Sequence, residues 1–179
     1  MARYNKIKNI YKLTKDCAEI IITRRNGDVY KAIIDREDYE KVCVYQWSMS
    51  HKYVATPKGI LLHRLILGVT DSKQKIDHAD LNTLNNRKYN LRLCNNSQNG
   101  ANRKSQINNT TGYKGVRWYE KLKKWNARIR VNGQLLHLGY FETIDRAIEA
   151  YNKASIMYFG EFARPNQIGG VSKQCKQEI

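Results

Sequence analysis

The sequence has few of the residues on which several classes of protein depend. It contains two prolines and four cysteines in 179 residues. The cysteines, Cys17, Cys43, Cys94 and Cys175, form no C-x-x-C pair and have no regular spacing. We therefore expect reduced thiols rather than a zinc knuckle or a disulfide framework. No run of 18 apolar residues occurs, and the first fifteen residues lack the apolar core of a signal peptide, which predicts a soluble, intracellular protein with no membrane partner.

Acidic residues are scarce beside basic ones. Lys and Arg number 32 against 16 Asp and Glu, which gives a net charge of +16 and an isoelectric point near 9.8. Residues 1–100 and residues 101–179 share the excess about equally, and the length suffices for one ordinary domain or two small ones. A polyanion is therefore the expected partner, and we expect both parts of the chain to contact it.

The first part of the chain predicts short strands and helices around a small core. Asn26-Gly27 lies between two β-prone runs in residues 17–35, which predicts a hairpin. Residues 35–47 predict a short helix. Residues 51–68 predict a second hairpin that turns at Pro57-Lys58-Gly59 and continues into a helix ended by Gly68. The predicted core residues are Ile20, Ile22, Val29, Ile33, Val42, Trp47, Val54, Leu62 and Leu65.

Residues 75–104 are rich in asparagine and poor in apolar side chains. Most such runs are turns, because Asn tolerates the left-handed backbone region and bonds its own main chain. Here the pattern also predicts a strand, a long loop, a second strand and a helix. Asp77-His78 lies on the first strand, Asn90 opens the second, and Asn99 lies on the helix, so each element has one polar anchor.

These three elements can hold a hard divalent ion between a strand carboxylate and a helix amide oxygen. Oxygen ligands favour Mg²⁺ or Mn²⁺ over zinc. An imidazole beside the ion can accept a proton from water, while the ion stabilises charge on the phosphate and the leaving oxygen. Adjacent side chains on a regular strand face opposite ways, so Asp77 and His78 can serve one phosphate only if the strand ends or twists there. The pattern indicates phosphodiester hydrolysis.

Asp77-His78, Asn90 and Asn99, with "NNR" at Asn85–Arg87 and "HR" at His63-Arg64, resemble the HNH nuclease motif of phage and intron-encoded homing endonucleases. The resemblance covers roughly residues 1–103 and implies a ββα-metal (His-Me finger) core. It implies His78 as the general base and Asp77 and Asn99 as metal ligands. It also implies that Asn90 holds the loop in shape by backbone hydrogen bonds. Asn99 stands where colicin-type members have His, as in the H-N-N subgroup, which favours magnesium over zinc or nickel.

Further residues are candidates for phosphate contacts or for support of the site. A lone His beside an apolar strand is more often structural, although "LLHRL" around His63 resembles the segment ahead of the site in this family. Arg87 is either an ordinary solvated charge or a phosphate contact. Asn102 and Arg103 follow Asn99 by three and four residues and so share its helical face. The full set is His63, Arg64, Arg87, Asn102 and Arg103.

The polar, basic and aperiodic residues 103–111 predict a linker. Downstream, a charged turn at Glu120–Lys124 and Asn132-Gly133 separate three short β-runs, and a helix follows with Thr143 as its N-cap. This order predicts a three-stranded antiparallel sheet packed on one helix. The apolar residues at helical spacing are Ala147, Ile148, Tyr151, Ala154, Ile156 and Tyr158.

Basic and aromatic residues alternate in this second part. Residues 101–130 contain nine Lys or Arg against one acid, Glu120. A solvated face is the ordinary interpretation of such a charge run. However, strand alternation puts Arg128 and Arg130 on one face and the apolar residues on the other. A row of arginines on a sheet can enter a major groove and reach guanine edges or phosphates.

The motifs "GVR", "W-A-IR", "LGYFET" and "A-AY" make residues 111–166 resemble the plant ethylene-response-factor (AP-two/ERF) DNA-binding domain, which also occurs fused to phage HNH nucleases. The resemblance implies that Trp125, Gly139, Phe141 and Ala150 serve the fold. Tyr119 replaces an Arg of the plant pattern and His137 replaces a Trp, changes that affect the recognised sequence more than the docking mode. The implied DNA contacts are Lys114, Arg117, Tyr119, Arg128, Arg130 and His137.

The sequence therefore predicts an α+β protein of two domains. We expect an HNH nuclease domain over residues 1–103 with its ββα-metal core at about 74–103, a linker over 104–112, an AP-two/ERF-like domain over 113–166 and a flexible tail over 167–179.

The predicted function is site-specific cleavage of double-stranded DNA, as in homing endonucleases, with Mg²⁺ or Mn²⁺. One metal site per chain predicts that a monomer nicks one strand, so that cleavage of both strands would need a dimer or a second binding event. The sequence has no coiled-coil or other dimer signature. The expected location is the cytoplasm of a phage-infected bacterium. The alternative is a sequence-specific DNA-binding regulator with an inactive nuclease fold, against which the intact Asp77, His78 and Asn99 argue.

Overall fold

The computed structural model describes residues 9–106 and 108–168, which form two compact units that divide between Cys94 and Asn95. Small antiparallel sheets and a few helices make up both units, which confirms the predicted α+β class. The predicted domain limits stay predictions, and from residue 169 onward the predicted tail lies outside the described residues. Cys17, Cys43 and Cys94 are free thiols, whereas Cys175 lies outside the described residues.

The first unit begins with a three-stranded antiparallel sheet of β1 (Ile10–Leu13), β2 (Cys17–Thr23) and β3 (Val29–Asp35). Strands β2 and β3 form the predicted hairpin, and Gly27 adopts a φ of 89° in its turn. The sequence did not predict β1. Its four residues are mostly exposed, so they lack the period-two apolar pattern that marks a strand.

Two small elements and a second hairpin follow. A short 3-10 turn leads into α1 (Tyr39–Cys43), as predicted. Strands β4 (Ser48–Ser50) and β5 (Tyr53–Ala55) then pair, and α2 (Leu62–Leu67) ends at Gly68, whose φ is 67°.

The predicted second hairpin was partly wrong. A tight turn does lie at residues 56–60, where the Thr56 amide donates to the Ile60 carbonyl at 2.9 Å. Only Ala55 and Leu61 bridge across it. The main hairpin turns earlier, at His51, which adopts a φ of 52°. A non-glycine residue in the left-handed region leaves no signal as strong as Pro-Lys-Gly.

The core of the first unit consists mainly of predicted residues. Alternation along β3 buries Ala32 and Ile34, so Val29, which is 56% exposed, faces away from the core and its predicted burial was wrong. Ile33 and Leu65 are half-buried. The buried apolar cluster is Ala18, Ile20, Ile22, Ala32, Ile34, Val42, Trp47, Val54, Leu62, Ile66 and Leu91.

The predicted strand, loop and strand around the asparagine-rich stretch are present. Strand β6 (Lys75–His78) pairs antiparallel with β7 (Leu91–Cys94), and residues 79–90 form the loop between them. The helix that follows, α3 (Asn96–Ala101), belongs to the second unit. Asn95 caps it, with its side chain accepting from the Gln98 amide at 2.8 Å.

The second unit contains the predicted three-stranded antiparallel sheet and helix. The strands are β8 (Val116–Tyr119), β9 (Lys124–Val131) and β10 (Gln134–Phe141), with β9 in the centre. Helix α4 (Ile144–Phe159) packs on all three strands, and the Thr143 hydroxyl caps it.

Two residues of α4 do not lie where the spacing suggested. Ile156 and Tyr158 are 57% and 43% exposed. Ser155 and Phe159 are buried instead, because they continue the face of Ala147, Ile148 and Tyr151 at three- and four-residue steps.

Candidate functional site

Strand β6 ends in two buried ionisable side chains, Asp77 and His78, each about 5% exposed. Since β6 ends at His78, the next residues leave the pleat and enter the loop. The end of the strand is therefore the place where neighbours in sequence can both reach one substrate group.

The imidazole of His78 lies in an aromatic and amide pocket. Its ring centroid is 5.3 Å from that of His63 and 6.2 Å from that of Tyr53. Its Nε2 is 3.4 Å from Oδ1 of Asn86. Because an amide oxygen only accepts hydrogen bonds, this contact favours the proton on Nε2 and the lone pair on Nδ1.

Burial controls the protonation of both histidines. Burial lowers the pKa of His78, against the raising effects of the Asn86 hydrogen bond and of the Asp80 and Asp77 carboxylates. Burial, reinforced by His78 and Arg64, lowers the pKa of His63 to about 4. Both rings are therefore neutral near pH 7, the form in which an imidazole can accept a proton.

The Asp77 carboxylate faces Arg92, its partner across the β6–β7 pair. Oδ2 of Asp77 forms an ion pair with Nη2 of Arg92, and both side chains are largely buried. A short contact with a guanidinium group restricts the orientation of the carboxylate.

Asn90 fixes the loop that follows His78. Its side chain is 1% exposed. The amide nitrogen donates to Oδ1 of Asp80 at 2.9 Å and to the carbonyl of Asn85 at 2.8 Å. Its Oδ1 accepts from the Asp80 amide at 3.0 Å, and its carbonyl accepts from the Ala79 amide at 2.9 Å. One side chain therefore ties both ends of the loop together.

The carboxylate of Asp80 accepts several hydrogen bonds within the same loop. Desolvation raises the pKa of Asp80, but hydrogen bonds from Asn85, the Asn82 amide and Asn90 outweigh it, so the net pKa is lowered. Asn85 donates to Oδ2 at 2.8 Å and Asn82 to Oδ1 at 2.7 Å. Asn82, Asn85 and Asn90 thus build the loop around Asp80, as their residue type suggests.

Strand β3 of the first sheet forms hydrogen bonds with this loop. The Ile33 amide donates to the Leu84 carbonyl at 2.8 Å, and the Asn86 amide donates to the Ile33 carbonyl at 2.7 Å. The Asp35 carboxylate accepts from Nε of Arg87 and from the Lys88 amide, both at 2.7 Å. The Arg87 side chain is therefore engaged in the fold of the loop.

Helix α2 supplies the two residues of the "HR" pair. His63 is buried beside His78, with its ring 5.3 Å from Tyr53. Nη1 of Arg64 donates to the Gln74 carbonyl at 2.9 Å, and Nη2 donates to the Asp71 carbonyl. Arg64 therefore holds the segment that leads into β6.

The remaining nuclease-motif residues lie in the second unit. Asn99 is half-buried on α3, and its amide donates to the Asn95 carbonyl at 3.0 Å. Asn102 is buried at the end of α3, whereas Arg103 is exposed. The joint role of Asn99 and Asp77 stays a prediction.

The donor chemistry of these residues suits a hard cation. A carboxylate from Asp77 and an amide oxygen from Asn99 are oxygen ligands of the kind that Mg²⁺ and Mn²⁺ accept. Within residues 9–106 and 108–168, no three His, Cys, Asp or Glu side chains are grouped as a metal site. The predicted pair would not form such a group, because Asn is not among those four types.

Five of the six residues implied in DNA contacts share one face of the second sheet. Arg117 pairs with Asn126, Tyr119 with Lys124, Arg128 with His137 and Arg130 with Leu135, and paired residues point to the same side. The opposite face, with Val116, Ala127 and Ile129, is buried beneath α4. This face contains Arg117, Tyr119, Arg128, Arg130 and His137.

The arginines of this face repel one another. Desolvation, and then Arg117 and Arg130, lower the pKa of Arg128. In the described parts of the chain, no carboxylate pairs with any of the three. Tyr119 and His137 both pack against Tyr140, with ring centroids 5.3 Å and 4.6 Å away. Clustered cations without acidic partners favour binding of an anion.

A basic groove of about 550 Å³ adjoins these arginines. Residues 103–106 and 108–110 line it, together with the start of β8 and the middle of β9. No acidic side chain lines it among the described residues. Its basic residues are Arg103, Lys104, Lys114, Arg117, Arg128 and Arg130.

Sequence reasoning missed several residues of the His78 pocket. The contact of Arg92 with Asp77 could have been predicted. If strands β6 and β7 pair antiparallel with His78 opposite Leu91, Arg92 lies opposite Asp77. Asn86 was part of the "NNR" motif but was given no role. Tyr53 has no local signal, because it comes from a hairpin 25 residues earlier in the chain.

Sequence comparisons relate the chain to known proteins. No protein-family model matches the chain. It is 32% identical over 145 residues to the uncharacterized HNH endonuclease L560 of Acanthamoeba polyphaga mimivirus, covering 76% of this chain and 75% of that protein. It is also 30% identical over 89 residues to protein 3.8 of Escherichia phage T7, covering 50% of this chain and 73% of that protein. The chain belongs to the HNH endonuclease family. No helix in the described parts of the chain is long and apolar enough to cross a membrane.

Proposed function

We propose that this protein is a site-specific DNA endonuclease that hydrolyses a phosphodiester bond with His78 as its general base. The observation that carries the proposal is the end of β6. There a buried, neutral imidazole follows a buried carboxylate that is paired with Arg92, and a loop locked by Asn90 leads away from both. Membership of the HNH endonuclease family supports the same chemistry.

Asp77 and Asn99 would hold the divalent ion, Mg²⁺ or Mn²⁺, within a ββα-metal core. When bound, the ion stabilises the negative charge that grows on the phosphate and on the leaving oxygen. The Arg92 ion pair orients the Asp77 carboxylate, as residues behind a metal ligand commonly do.

His78 performs the proton transfer. Its Nδ1 accepts a proton from the attacking water as the water oxygen bonds to phosphorus. The bond from phosphorus to the leaving sugar oxygen breaks, and that oxygen takes up a proton. The contact with Asn86 and the ring of His63 hold the imidazole in one orientation. Asn90 acts indirectly, by fixing the loop through Asp80 and Asn85.

The sheet of the second unit binds the target. The guanidinium groups of Arg117, Arg128 and Arg130, which have no carboxylate partner among the described residues, suit a DNA major groove, and Tyr119 and His137 lie on the same face. These residues and the resemblance to AP-two/ERF domains support DNA recognition here. The site is supported from the first unit by His63, Arg64 and Arg87. In the second unit, Asn102 and Arg103 follow α3 directly and support Asn99.

One proposed site per chain implies that a monomer nicks one strand in each encounter. The two relatives come from a bacteriophage and from an amoeba virus. Action inside a phage-infected bacterium is therefore one of two settings that these relatives suggest.

A nicking assay tests the proposal. Duplexes that bind the protein are selected from a random-sequence pool, cloned into a supercoiled plasmid and incubated with protein and Mg²⁺ or Mn²⁺. We expect open circles with the wild type and with the control His51→Asn, which removes an exposed imidazole and keeps a residue type that tolerates the left-handed backbone of that turn. His78→Ala should leave the plasmid supercoiled. Equal inactivity of wild type and His78→Ala across metals and pH would instead support the DNA-binding regulator.

A further inference from the structure

We propose that Lys114 is a positioning residue that holds helix α3, and with it Asn99, on the second unit. The resemblance to AP-two/ERF domains implies a DNA contact for this lysine, so the two roles can be separated. The inference rests on the proposed function in one respect, that Asn99 serves the nuclease site.

The Lys114 ammonium already has a protein partner. Its Nζ donates to the carbonyl of Ala101, the last residue of α3, at 2.8 Å. The last four carbonyls of any helix lack partners within that helix, and a lysine near the C-terminus can satisfy one of them. In a helix of only six residues, one such bond is a substantial part of what keeps the end from fraying.

The backbone of Lys114 is fixed independently of DNA. Its amide donates to Oδ1 of Asn166 at 2.8 Å, and its carbonyl accepts from Nδ2 of Asn166 at 3.0 Å. Asn152 on α4 bonds the backbone of Asn166 in turn, at 2.7 Å and 2.9 Å. Lys114 is thus anchored to the folded domain at a point just ahead of β8.

A second bond holds the other end of α3 to the same unit. Oγ of Ser97 accepts from the amide of Asn132, in the turn between β9 and β10, at 2.9 Å. The helix also packs against α4. Ser97 and Ala101 flank Asn99 by two residues on each side, so both attachments restrict the position of that side chain.

The environment of Lys114 agrees with this role. The residue is half-buried, and desolvation, together with the nearby Arg164, lowers its pKa to about 8. A lysine whose charge is already disfavoured is a poorer phosphate ligand than exposed Arg117 or Arg130.

The test measures DNA affinity and catalysis separately in the full-length protein. Lys114→Ala is compared with Lys153→Ala, which removes the same charge from an exposed position on α4. Dissociation constants for a selected duplex are measured at several salt concentrations, and cleavage is measured in single turnover with protein in excess. We expect the two variants to have equal affinity and salt dependence, and Lys114→Ala alone to cleave about 10–100-fold more slowly. Lys114→Arg should restore most of the rate.

Two results would overturn the inference. In the first, Lys114→Ala lowers the slope of the logarithm of the binding constant against the logarithm of salt concentration by about one unit and leaves the single-turnover rate unchanged. Lys114 would then be a phosphate contact. An unchanged rate with unchanged affinity would mean that α3 does not depend on it. If Lys114→Ala fails to fold, Ser97→Ala replaces it, with slower cleavage at unchanged affinity expected and an unchanged rate counting against the inference.

A readout without catalysis keeps this test distinct from that of the proposed function. Amide hydrogen exchange at Asn99 and Asn102, which bond to Asn95 and Gln98 within α3, should speed up at least tenfold in Lys114→Ala and not in Lys153→Ala. Unchanged exchange contradicts the positioning role even if no variant cleaves DNA. Faster exchange in a protein that never cleaves would instead leave Lys114 as the anchor of α3 and reject only the nuclease activity.

Discussion

Replacing Asn90 should destabilise the loop that follows His78. Asn90→Ala removes three side-chain hydrogen bonds, two with Asp80 and one with the carbonyl of Asn85. At roughly 0.5–1.5 kcal/mol for each bond, the free energy of unfolding should fall by about 1.5–4.5 kcal/mol.

Urea denaturation can measure this loss in the first unit alone. Trp47 is buried in that unit, whereas Trp118 and Trp125 lie in the second. Trp118→Phe and Trp125→Phe in all variants therefore leave Trp47 as the fluorescent probe.

Asn82→Ala is the matched control for Asn90→Ala. Its exposed side chain accepts one bond, from the Leu84 amide, and should cost less than about 1 kcal/mol. A decrease below about 0.5 kcal/mol for Asn90→Ala would refute the view that Asn90 locks the loop.

Three further predictions concern pH, DNA affinity and packing. Since burial lowers the pKa of His63 from 6.5 to about 4, the unfolded chain binds its proton first. The contribution of His63 to the free energy of unfolding should be fully present above pH 6.5 and be lost as the pH falls from 6.5 to 4. In urea titrations, His63→Gln should reduce this loss by about 3 kcal/mol. Replacing Arg128 and Arg130 with Ala should weaken specific DNA binding by about 1–3 kcal/mol per lost bidentate base contact, and an undiminished site preference would exclude readout by the sheet. In Gly115→Ala, the new Cβ would lie 2.3 Å from the Arg128 carbonyl and from the Tyr151 ring, at a φ of 71°. The second unit should lose about 2 kcal/mol or more, and an unchanged urea midpoint would contradict this.

Local sequence signals predicted the elements that depend on neighbours in the chain. Asn26-Gly27, Gly68, Thr143 and Asn132-Gly133 each specify a turn or a helix end by their own backbone or side-chain chemistry. The period-two alternation in β9 likewise predicted which face contains the arginines.

Features that depend on distant partners were not predictable in the same way. The Asp35 contacts with Arg87 and Lys88 join residues more than 50 positions apart. Tyr53 reaches the His78 pocket through a hairpin whose turn, at His51, has no strong turn motif. The attachment of α3 to the second unit through Lys114 and Ser97 is also tertiary, because nothing in "SQNGANRK" indicates which unit its helix packs on.

The central claim is that His78 performs the chemistry and does not hold the DNA. The most direct measurement is the single-turnover cleavage rate of a selected duplex by wild type and His78→Ala, with dissociation constants measured in parallel. General base catalysis contributes about 10²–10⁴-fold. We predict a loss of that size in rate, with affinity unchanged within about twofold. A His78→Ala protein that cleaves within tenfold of the wild-type rate would contradict the account.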